Sequence, residues 1–473
     1  MNRKEFIKRA ALFISAAGLG SSLKADDKKE RKPNVVFVFA DQLRAQSIGC
    51  MGDEQAITPA LDKMASEGLL LTNTISSQPV CTPYRAQLLT GRYSHRTGVI
   101  HNDIRLPDNE VLISEQFKKA GYHTGYIGKW HLSGYREDPV DAKSRRGWDF
   151  WAVRNCSHDH SNPVYWLNES KEPIEVPGWE PEVQTDLAIE YIKKKKGEPF
   201  CLFLSFGPPH NPYKAPKKYL DLFNAKKLRN RPNVPEFDSS VEEKDKKKKK
   251  DSKSFWKKKT LHAYNAMVTS LDTCMGRIND CVQEAGISEN TILVFTSDHG
   301  DMLGSQGHEK KQRPWEESIN VPFIIRYPEK IKKGQVRDCI VSSVDLMPTL
   351  LGMCNAPIPS QVDGMDYSAT FQGESQKERD HAFLFNVNKG KTGSGCDWRG
   401  IRTKEWSYAH HHLGDWLMYD LKNDPYQLHN LIDHPDYQAQ KNILKEELKS
   451  LRKDLDESIP LKGKLPKPTQ LPA

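Results

Sequence analysis

Three short apolar runs set the architecture that this chain can adopt. Residues 34–40, 200–206 and 292–296 are nearly continuous series of aliphatic and aromatic side chains. Such runs are typical of strands that are buried on both faces of a sheet. Helical patterns separate them, at residues 58–67, 83–91, 111–120, 183–195 and 261–285. The alternation predicts an α/β fold in which a large, mostly parallel or mixed sheet is sandwiched between helices.

The pattern changes along the chain and predicts three regions. Residues 1–25 combine basic side chains with a short apolar stretch and end at Ala25, as signal peptides do. Residues 33–374 form the predicted large α/β domain. Residues 375–473 form a smaller predicted α+β subdomain and a tail. Three strand-like segments precede one charged helix there, at residues 381–387, 398–410, 416–421 and 437–455, which predicts a small antiparallel sheet with one helix.

The net charge of +8 is concentrated in two places. Residues 241–259 hold ten Lys against four acids, and residues 1–25 hold five basic residues against one acid. Subtracting these +6 and +4 contributions leaves −2 for the rest, which argues against a nucleic-acid partner. The Lys-rich insertion at 241–259 is interpreted as a solvated segment, or alternatively as one that holds anionic polysaccharide. The apolar stretch at 10–20 is too short for stable membrane insertion.

Residues 81–92 have the features of a reactive side chain at the start of a helix. Pro83 suits the first helical turn and Gly91 suits the left-handed exit. Arg85 follows Cys81 by one turn and lies on the same helix face. The positive end of a helix beside a guanidinium is suited to an oxyanion. The chain has nine cysteines, an odd number that suits one free reactive thiol. A small buried hydrophobe is the other interpretation of Cys81.

The run from Cys81 to Arg92 resembles the signature of the type I, formylglycine-dependent sulfatases of the alkaline phosphatase superfamily. That signature has Cys or Ser, any residue, Pro, any residue and Arg, and it ends in Leu-Thr-Gly-Arg; every fixed position is present here. The resemblance implies that a separate sulfatase-maturing enzyme oxidises Cys81 to formylglycine (3-oxoalanine). The hydrated aldehyde would attack sulfur, and its second hydroxyl would then allow sulfate to leave.

Two acidic residues follow predicted strands and could meet at one sheet edge. Asp41 ends the first run and Asp298 ends the third, and carboxylates at the carboxyl ends of strands suit a hard cation. Turn chemistry is the other interpretation of the Asp298 segment. By resemblance, one calcium ion would be held by Asp41, Gln42, Asp298, His299 and the modified Cys81. Gln42 and His299 replace the more common Asp and Asn.

The remaining catalytic residues are assigned by the resemblance. Lys129 and His131 stand in a Gly-Lys-Trp-His sequence and would flank the nucleophile. His210, after two prolines, would bind sulfate and protonate the leaving oxygen. Lys311 would bind sulfate, with Lys310 as the second choice, and Arg85 would hold the modified side chain. A mobile surface loop is the other interpretation of His210.

Substrate specificity is predicted from two regions. The first is an aromatic and basic cluster at residues 148–166, which contains Arg154, His158 and His160 and alternatively forms a loop packed by its own aromatics. The second is Arg402 in the smaller subdomain.

Together with the predicted signal segment, the resemblance implies an exported bacterial sulfuric ester hydrolase, periplasmic or extracellular. It would cleave a sulfate monoester on a sulfated carbohydrate. Two alternatives remain: a phosphonate monoester or phosphodiester hydrolase with the same site, and a non-catalytic binder of sulfated glycan in which Cys81 is never converted.

Overall fold

The computed structural model describes residues 1–16, 31–135, 140, 142–170, 172–235, 258–388 and 396–463. Most of the predicted Lys-rich insertion, residues 241–257, lies outside these ranges, as do residues 17–25 of the predicted signal. Within the described ranges, no helix combines the length and the apolar character needed to cross a membrane.

The large sheet of the described chain has ten strands. In chain order they are β1 (Asn34–Asp41), β2 (Leu69–Ile75), β3 (His123–Lys129), β4 (Phe150–Arg154), β5 (Val164–Leu167), β6 (Ile174–Glu175), β7 (Phe200–Pro209), β8 (Thr291–Ser297), β9 (Asn320–Arg326) and β10 (Gln335–Ser342). Their spatial order is β10-β2-β9-β8-β1-β7-β3-β4-β5-β6. The three apolar runs form β1, β7 and β8, which lie side by side and parallel at the centre. The sheet is mixed because β9 runs antiparallel to both of its neighbours.

Helices cover both faces of this sheet. The α-helices of the described residues are α1 (Arg3–Ala16), α2 (Pro59–Ser66), α3 (Cys81–Thr90), α4 (Ser94–Thr97), α5 (Ile113–Lys119), α6 (Glu180–Lys195), α7 (Lys217–Leu220), α8 (Lys258–Glu284), α9 (Glu316–Ile319), α10 (Leu346–Met353), α11 (Ser368–Phe371) and α12 (Gln438–Asp454), the last of which packs against a smaller sheet. Successive side chains of β1 point to opposite faces, as the pleat requires. Val36 packs in the core with α6 and α8, and Phe37 packs in the core with α3 and α10. The predicted α/β sandwich is therefore confirmed.

A separate four-stranded antiparallel sheet follows. It consists of β11 (His381–Asn386), β12 (Trp398–Thr403), β13 (Trp406–His411) and β14 (Gly414–Asp420). Leu444 and Leu448 of α12 pack against it. The predicted small antiparallel sheet with one helix is therefore confirmed. The strand-like segment at 398–410 comprises two strands, because the chain turns between β12 and β13, where the Trp406 amide donates to the Thr403 hydroxyl at 2.9 Å. The proposed domain boundary near residue 375 stays a prediction.

The first helix packs against the main core. Phe6, Ala10 and Ile14 of α1 are fully buried, and the Phe6 ring stacks on Tyr165 with centroids 5.4 Å apart. Arg3 pairs with Asp186 at 2.7 Å. One face of this segment thus makes tertiary contacts, while the export role of residues 1–25 stays a prediction.

The parallel strands bring several polar side chains to one edge. Asp41 ends β1 and Lys129 ends β3, while His210 and Asp298 directly follow β7 and β8. Carboxyl ends of parallel strands lie at the same edge of a sheet, where α/β folds bind ligands. The structure places the candidate site there.

Candidate active site

Cys81 is the first residue of α3 and is 1% exposed. The helix ends as the sequence predicts: Gly91 has a φ of 66°, and its amide donates to the Gln87 carbonyl at 2.8 Å. A left-handed residue at this position is best supplied by glycine. The local sequence therefore fixes where the thiol stands relative to its helix, at the end where backbone N–H groups are not used.

Lysine and histidine side chains lie next to the Cys81 thiol. Lys311 Nζ donates to Cys81 Sγ at 2.9 Å, and His299 Nε2 lies 3.3 Å from the same sulfur. Burial opposes ionisation, but the positive charges of Lys129 and Lys311 outweigh it and hold the pKa of Cys81 well below its usual range. A site that stabilises a buried negative charge at this position also suits an anionic substrate.

Arg85 ties the strand ends together. Its Nη1 donates to the Lys129 carbonyl at 2.6 Å and to Ser205 Oγ at 2.7 Å, and its Nη2 donates to Asp298 Oδ2 at 3.2 Å. The guanidinium is 1% exposed and lies over the Phe39 ring at 5.0 Å. Three strands and α3 are thereby held in one arrangement around Cys81. Arg85 has the planar, multiple-donor geometry that such bridging requires.

Four buried side chains could hold a metal ion. One ligand atom from each of Asp41, Cys81, Asp298 and His299 lies within 4.8 Å of the others. Burial and the neighbouring Asp41 charge raise the pKa of Asp298. For Asp41 the effect of burial is outweighed by Lys129, His210 and Lys311, which lower its pKa. Two adjacent buried carboxylates of this kind are the usual setting of a divalent cation.

Gln42 and His299 also fit a cation. The Gln42 Nε2 donates to Asp301 Oδ2 at 2.7 Å, and the buried Gln42 Oε1 has no hydrogen-bond partner among the described residues. His299 Nδ1 lies 3.0 Å from the Gly300 carbonyl, so a proton on Nδ1 leaves the Nε2 lone pair facing Asp41 and Cys81. An unpaired amide oxygen and an imidazole nitrogen complete a donor set of two charged and two neutral groups.

Lys129 and His131 flank the nucleophile from β3. Lys129 Nζ forms an ion pair with Asp41, and both side chains are buried. His131 has a φ of 56°, and its Nε2 lies 3.3 Å from Asp103 Oδ1. Burial lowers the pKa of His131, but negative charge at Cys156 and the Asp103 hydrogen bond outweigh it and raise the pKa to about 9. The imidazole is therefore held protonated beside the thiol at neutral pH.

His210 and Lys311 stand on the other side of Cys81. Lys311 Nζ lies 3.0 Å from His210 Nε2, and His210 Nδ1 lies 2.7 Å from the Asn211 carbonyl. Burial, followed by the Lys311 charge, lowers the pKa of His210 well below its usual range. Lys310 is exposed, whereas Lys311 contacts the thiol, so the geometry favours Lys311 over Lys310.

These side chains open onto a cavity of about 600 Å³, a volume suited to a sugar ring and its substituents. Its wall consists of Cys81, Asn102, His131, Cys156, His158, His210, Asn211 and residues 307–313. Of the four predicted specificity residues, only His158 belongs to this wall. Its ring stacks on His210 with centroids 4.2 Å apart and 3° between the planes.

The other three lie elsewhere. Arg154 Nη2 pairs with Glu180 at 2.6 Å, and His160 Nδ1 lies 2.6 Å from the same carboxylate. Both residues are buried, and His160 Nε2 contacts the His210 carbonyl at 3.1 Å, so they support the His210 loop from behind. Arg402 pairs with Glu316 and lines a different cavity. Sequence reasoning did not predict these ion pairs. A buried cation needs an acidic partner, and the partners here, Glu180 and Glu316, are distant in sequence from the basic residues that they bind.

The same region also shows what the aromatic residues do. Trp148, Trp151 and Tyr165 are at most 2% exposed and belong to the main core. For these three side chains, the alternative interpretation of residues 148–166, a segment packed by its own aromatics, is therefore the correct one. They pack in the core and do not form an exposed platform for a sugar ring.

Sequence reasoning missed Cys156 and Asp103. Cys156 lies in the cavity wall, 3.9 Å from His158 Nε2. Burial opposes its ionisation, but Lys129 and His131 lower the pKa of its thiol well below the usual range. Asp103, with a φ of 68°, contacts His131. The only signal was position: Cys156 follows β4, whose pairing with β3 places it beside Lys129 and His131.

Comparisons with known proteins agree with this fold and site. The sequence model of the Sulfatase family matches residues 33–356, and that of the N-sulphoglucosamine sulphohydrolase C-terminal region matches residues 304–454. An ulvan-active sulfatase from Formosa agariphila is 36% identical over 451 residues, with 93% of this chain and 85% of that protein covered. An N-acetylglucosamine-6-O-sulfatase from Bacteroides thetaiotaomicron is 26% identical over 520 residues, covering 95% of this chain and 91% of the relative.

Among solved structures, the YidJ sulfatase of Bacteroides fragilis has a TM-score of 0.81 and 30% sequence identity, over 92% of this chain and 98% of that one. A phosphonate monoester hydrolase from Agrobacterium radiobacter has a TM-score of 0.71 at 23% identity, over 92% of this chain and 100% of that one, which shows the shared fold alone. Fold, site and relatives define a hydrolase with an alkaline-phosphatase-like sheet. The chain belongs to the sulfatase family of the alkaline phosphatase superfamily and is a sulfuric ester hydrolase.

Proposed function

We propose that this chain is an exported bacterial sulfatase that removes sulfate from a sulfated carbohydrate, with formylglycine made from Cys81 as its nucleophile. One observation carries the proposal. The buried Cys81 Sγ stands at the start of α3, with Lys311 Nζ at 2.9 Å, His299 Nε2 at 3.3 Å and Asp41 Oδ1 at 3.6 Å. A nucleophile, cations for sulfate oxygens and a metal-binding donor set thus meet at one atom.

The chemistry follows from these neighbours. A converted Cys81 supplies the attacking hydroxyl and, through its second hydroxyl, a route for sulfate to leave. Lys129 and Lys311 bind the sulfate oxygens, and Arg85 holds the donor set in place. His131 takes the proton that accompanies sulfate release, a step for which its imidazole must first give up the proton that it holds in the thiol form, and His210 Nε2 gives a proton to the departing sugar oxygen.

The donor set would be occupied by one calcium ion. Asp41, Gln42, Asp298 and His299 hold it, together with the converted Cys81 side chain. Bound there, it would withdraw electron density from the nucleophile and balance the two carboxylates. Hard oxygen ligands dominate this set, which favours calcium over a soft metal.

The substrate class follows from the relatives and from the cavity. The Formosa agariphila and Bacteroides thetaiotaomicron relatives are named for action on ulvan and on N-acetylglucosamine-6-O-sulfate. The cavity of about 600 Å³ accommodates a monosaccharide, with His158 and residues 307–313 around its mouth. We infer a sulfated glycan fragment as substrate and a sulfatase-maturing enzyme as the partner that converts Cys81. Residues 1–25 direct export, and residues 33–374 form the catalytic domain.

Mass spectrometry tests the nucleophile directly. The tryptic peptide that contains Cys81 should lose about 18 mass units relative to the thiol form when the protein is made with a maturing enzyme, as the conversion of thiol to aldehyde requires. Cys81→Ala should abolish turnover and keep the fold, while Cys50→Ala, a half-buried cysteine beside α2, should keep full activity. An unconverted thiol in fully active protein would contradict the proposal.

Rates with two aryl substrates distinguish a sulfatase from a phosphonate monoester hydrolase. Aryl sulfate should be hydrolysed faster than the corresponding aryl phosphonate monoester, and the reverse ranking would favour a phosphonate monoester hydrolase. Retained glycan binding without turnover, in protein whose Cys81 stays a thiol, would favour a non-catalytic binder.

A further inference from the structure

A second, larger cavity lies between the main sheet and the smaller subdomain. Its volume is about 700 Å³, and its wall combines the segment after β1, residues 229–232, the start of β9, Arg402 of β12 and Tyr426. It shares no lining residue with the cavity that contains Cys81. This volume falls in the range of small-molecule sites.

Arg44 is the distinctive residue of this wall. It is 4% exposed, its Nε donates to Ser47 Oγ at 2.8 Å, and its buried Nη1 has no hydrogen-bond partner among the described residues. A buried guanidinium N–H without an acceptor is costly, and such groups are rare unless a ligand or water completes them.

The other arginines of the wall have carboxylate partners. Arg231 Nε lies 2.9 Å from Glu317, Arg402 contacts Glu316 through two nitrogens at 3.1 Å, and Arg229 lies 3.6 Å from Glu54. In the described part of the chain, Arg44 takes part in no such ion pair. The cavity therefore offers donors and positive charge to an anion.

The wall also offers a free acceptor. Asn320 is 6% exposed, and its Nδ2 donates to Glu316 Oε2 at 3.0 Å, whereas its buried Oδ1 has no partner among the described residues. Asp53 adds a half-buried carboxylate to the same wall. Inorganic sulfate has no hydrogen to donate to these acceptors, and a carboxylate would repel a second negative charge. A ligand with one anionic group and several hydroxyls can accept hydrogen bonds from Arg44 and donate hydrogen bonds to Asn320 and Asp53.

We propose that this cavity binds a sugar bearing one anionic group, a carboxylate or a sulfate ester, with the anion against Arg44 and a hydroxyl donated to Asn320. This site is separate from the Cys81 cavity and does not depend on the chemistry there. Arginines from both sides of the cavity would then enclose the ligand between the main domain and the smaller subdomain.

Calorimetric titration of the full chain tests the proposal with D-glucuronate as probe. D-glucose, which lacks the charge, and acetate, which lacks the hydroxyls, should each bind at least about tenfold more weakly, since a charge-assisted hydrogen bond is worth a tenfold effect or more. Sodium sulfate distinguishes an anion site from a sugar site. Sulfate that binds as tightly as glucuronate would overturn the assignment of a sugar.

Single substitutions test whether glucuronate binds in the cavity that contains Arg44. Arg44→Gln should weaken glucuronate binding at least about tenfold, whereas Arg229→Gln, an exposed arginine of the same wall, should change it less than about threefold. Lys311→Ala should leave glucuronate binding unchanged, because Lys311 lies in the other cavity. Loss of binding in Lys311→Ala, or no loss in Arg44→Gln, would refute the site.

A second measurement tests the site without relying on the folding of a variant. A crystal of the unaltered protein soaked in glucuronate should show density between Arg44 and Asn320. An empty cavity at saturating glucuronate would overturn the proposal, and density in the Cys81 cavity alone would do so as well.

Discussion

Replacing His210 by alanine should separate the two kinds of leaving group that a sulfatase releases. His210 Nδ1 faces the Asn211 carbonyl at 2.7 Å, so Nε2 is the nitrogen directed at Lys311, 3.0 Å away, and Lys311 in turn contacts the Cys81 sulfur. In the proposed mechanism, a sulfate ester bound at Cys81 would place its bridging oxygen beside Nε2. Burial and the Lys311 charge lower the pKa of His210, and the negative charge of a bound ester would oppose the effect of Lys311 and so favour the protonated form.

The expected magnitude follows from this role. A positioned general acid contributes about 10²- to 10⁴-fold, or about 2.7–5.5 kcal/mol of barrier, and only for a leaving group that needs a proton. A sugar alkoxide needs one, whereas 4-nitrophenolate leaves as an anion. In His210→Ala, kcat/KM for a sulfated sugar should fall about 10²- to 10⁴-fold further than kcat/KM for 4-nitrophenyl sulfate.

The control is His308→Ala, which removes another imidazole of the same wall, one that stacks on Trp315 at 5.1 Å. It should lower kcat/KM for both substrates by similar, small factors. Equal losses for both substrates in His210→Ala would refute the role of a general acid and leave His210 as a sulfate-binding group.

Three other predictions concern the site and its support. Lys311→Ala should lower kcat/KM at least about tenfold in a steady-state assay, because Lys311 contacts Cys81. Lys310→Ala should change kcat/KM less than about threefold, because Lys310 is exposed. The opposite ranking would assign the sulfate-binding role to Lys310. Chelation should abolish turnover and added calcium should restore it, with unchanged activity after exhaustive dialysis against chelator as the contrary result. Burial raises the pKa of Asp272 to about 6 from an ordinary 3.8, although its carboxylate accepts the Leu61 amide at 2.8 Å. The folded state therefore binds the extra proton, and this residue makes the protein less stable by up to about 3 kcal/mol as pH rises from 4 to 6. In chemical unfolding, Asp272→Asn should remove that part of the pH dependence and Asp280→Asn, exposed on the same helix, should not.

Local pattern was sufficient to predict most of the secondary structure. The runs at 34–40, 200–206 and 292–296 are β1, β7 and β8, because a strand buried on both faces must be apolar at consecutive positions. Pro83 and Gly91 marked the ends of α3, since both residues act through their own backbone. The strand-like segment at 398–410 is two strands, and the pattern did not mark the turn between them because that turn contains neither glycine nor proline.

Sequence by itself determined the fold class, the position of Cys81 at a helix start and the acidic residues at strand ends, because each depends on neighbouring residues in the chain. Tertiary structure alone decided the long-range pairings. It brought Lys311 rather than Lys310 to the thiol and paired Arg154 and His160 with Glu180. It also left Arg44 Nη1, in the wall of a separate cavity, without a hydrogen-bond partner among the described residues. The physical reason is that a charged side chain is stabilised by whichever opposite charge or acceptor lies within a few ångströms, and that distance is set by packing across hundreds of residues.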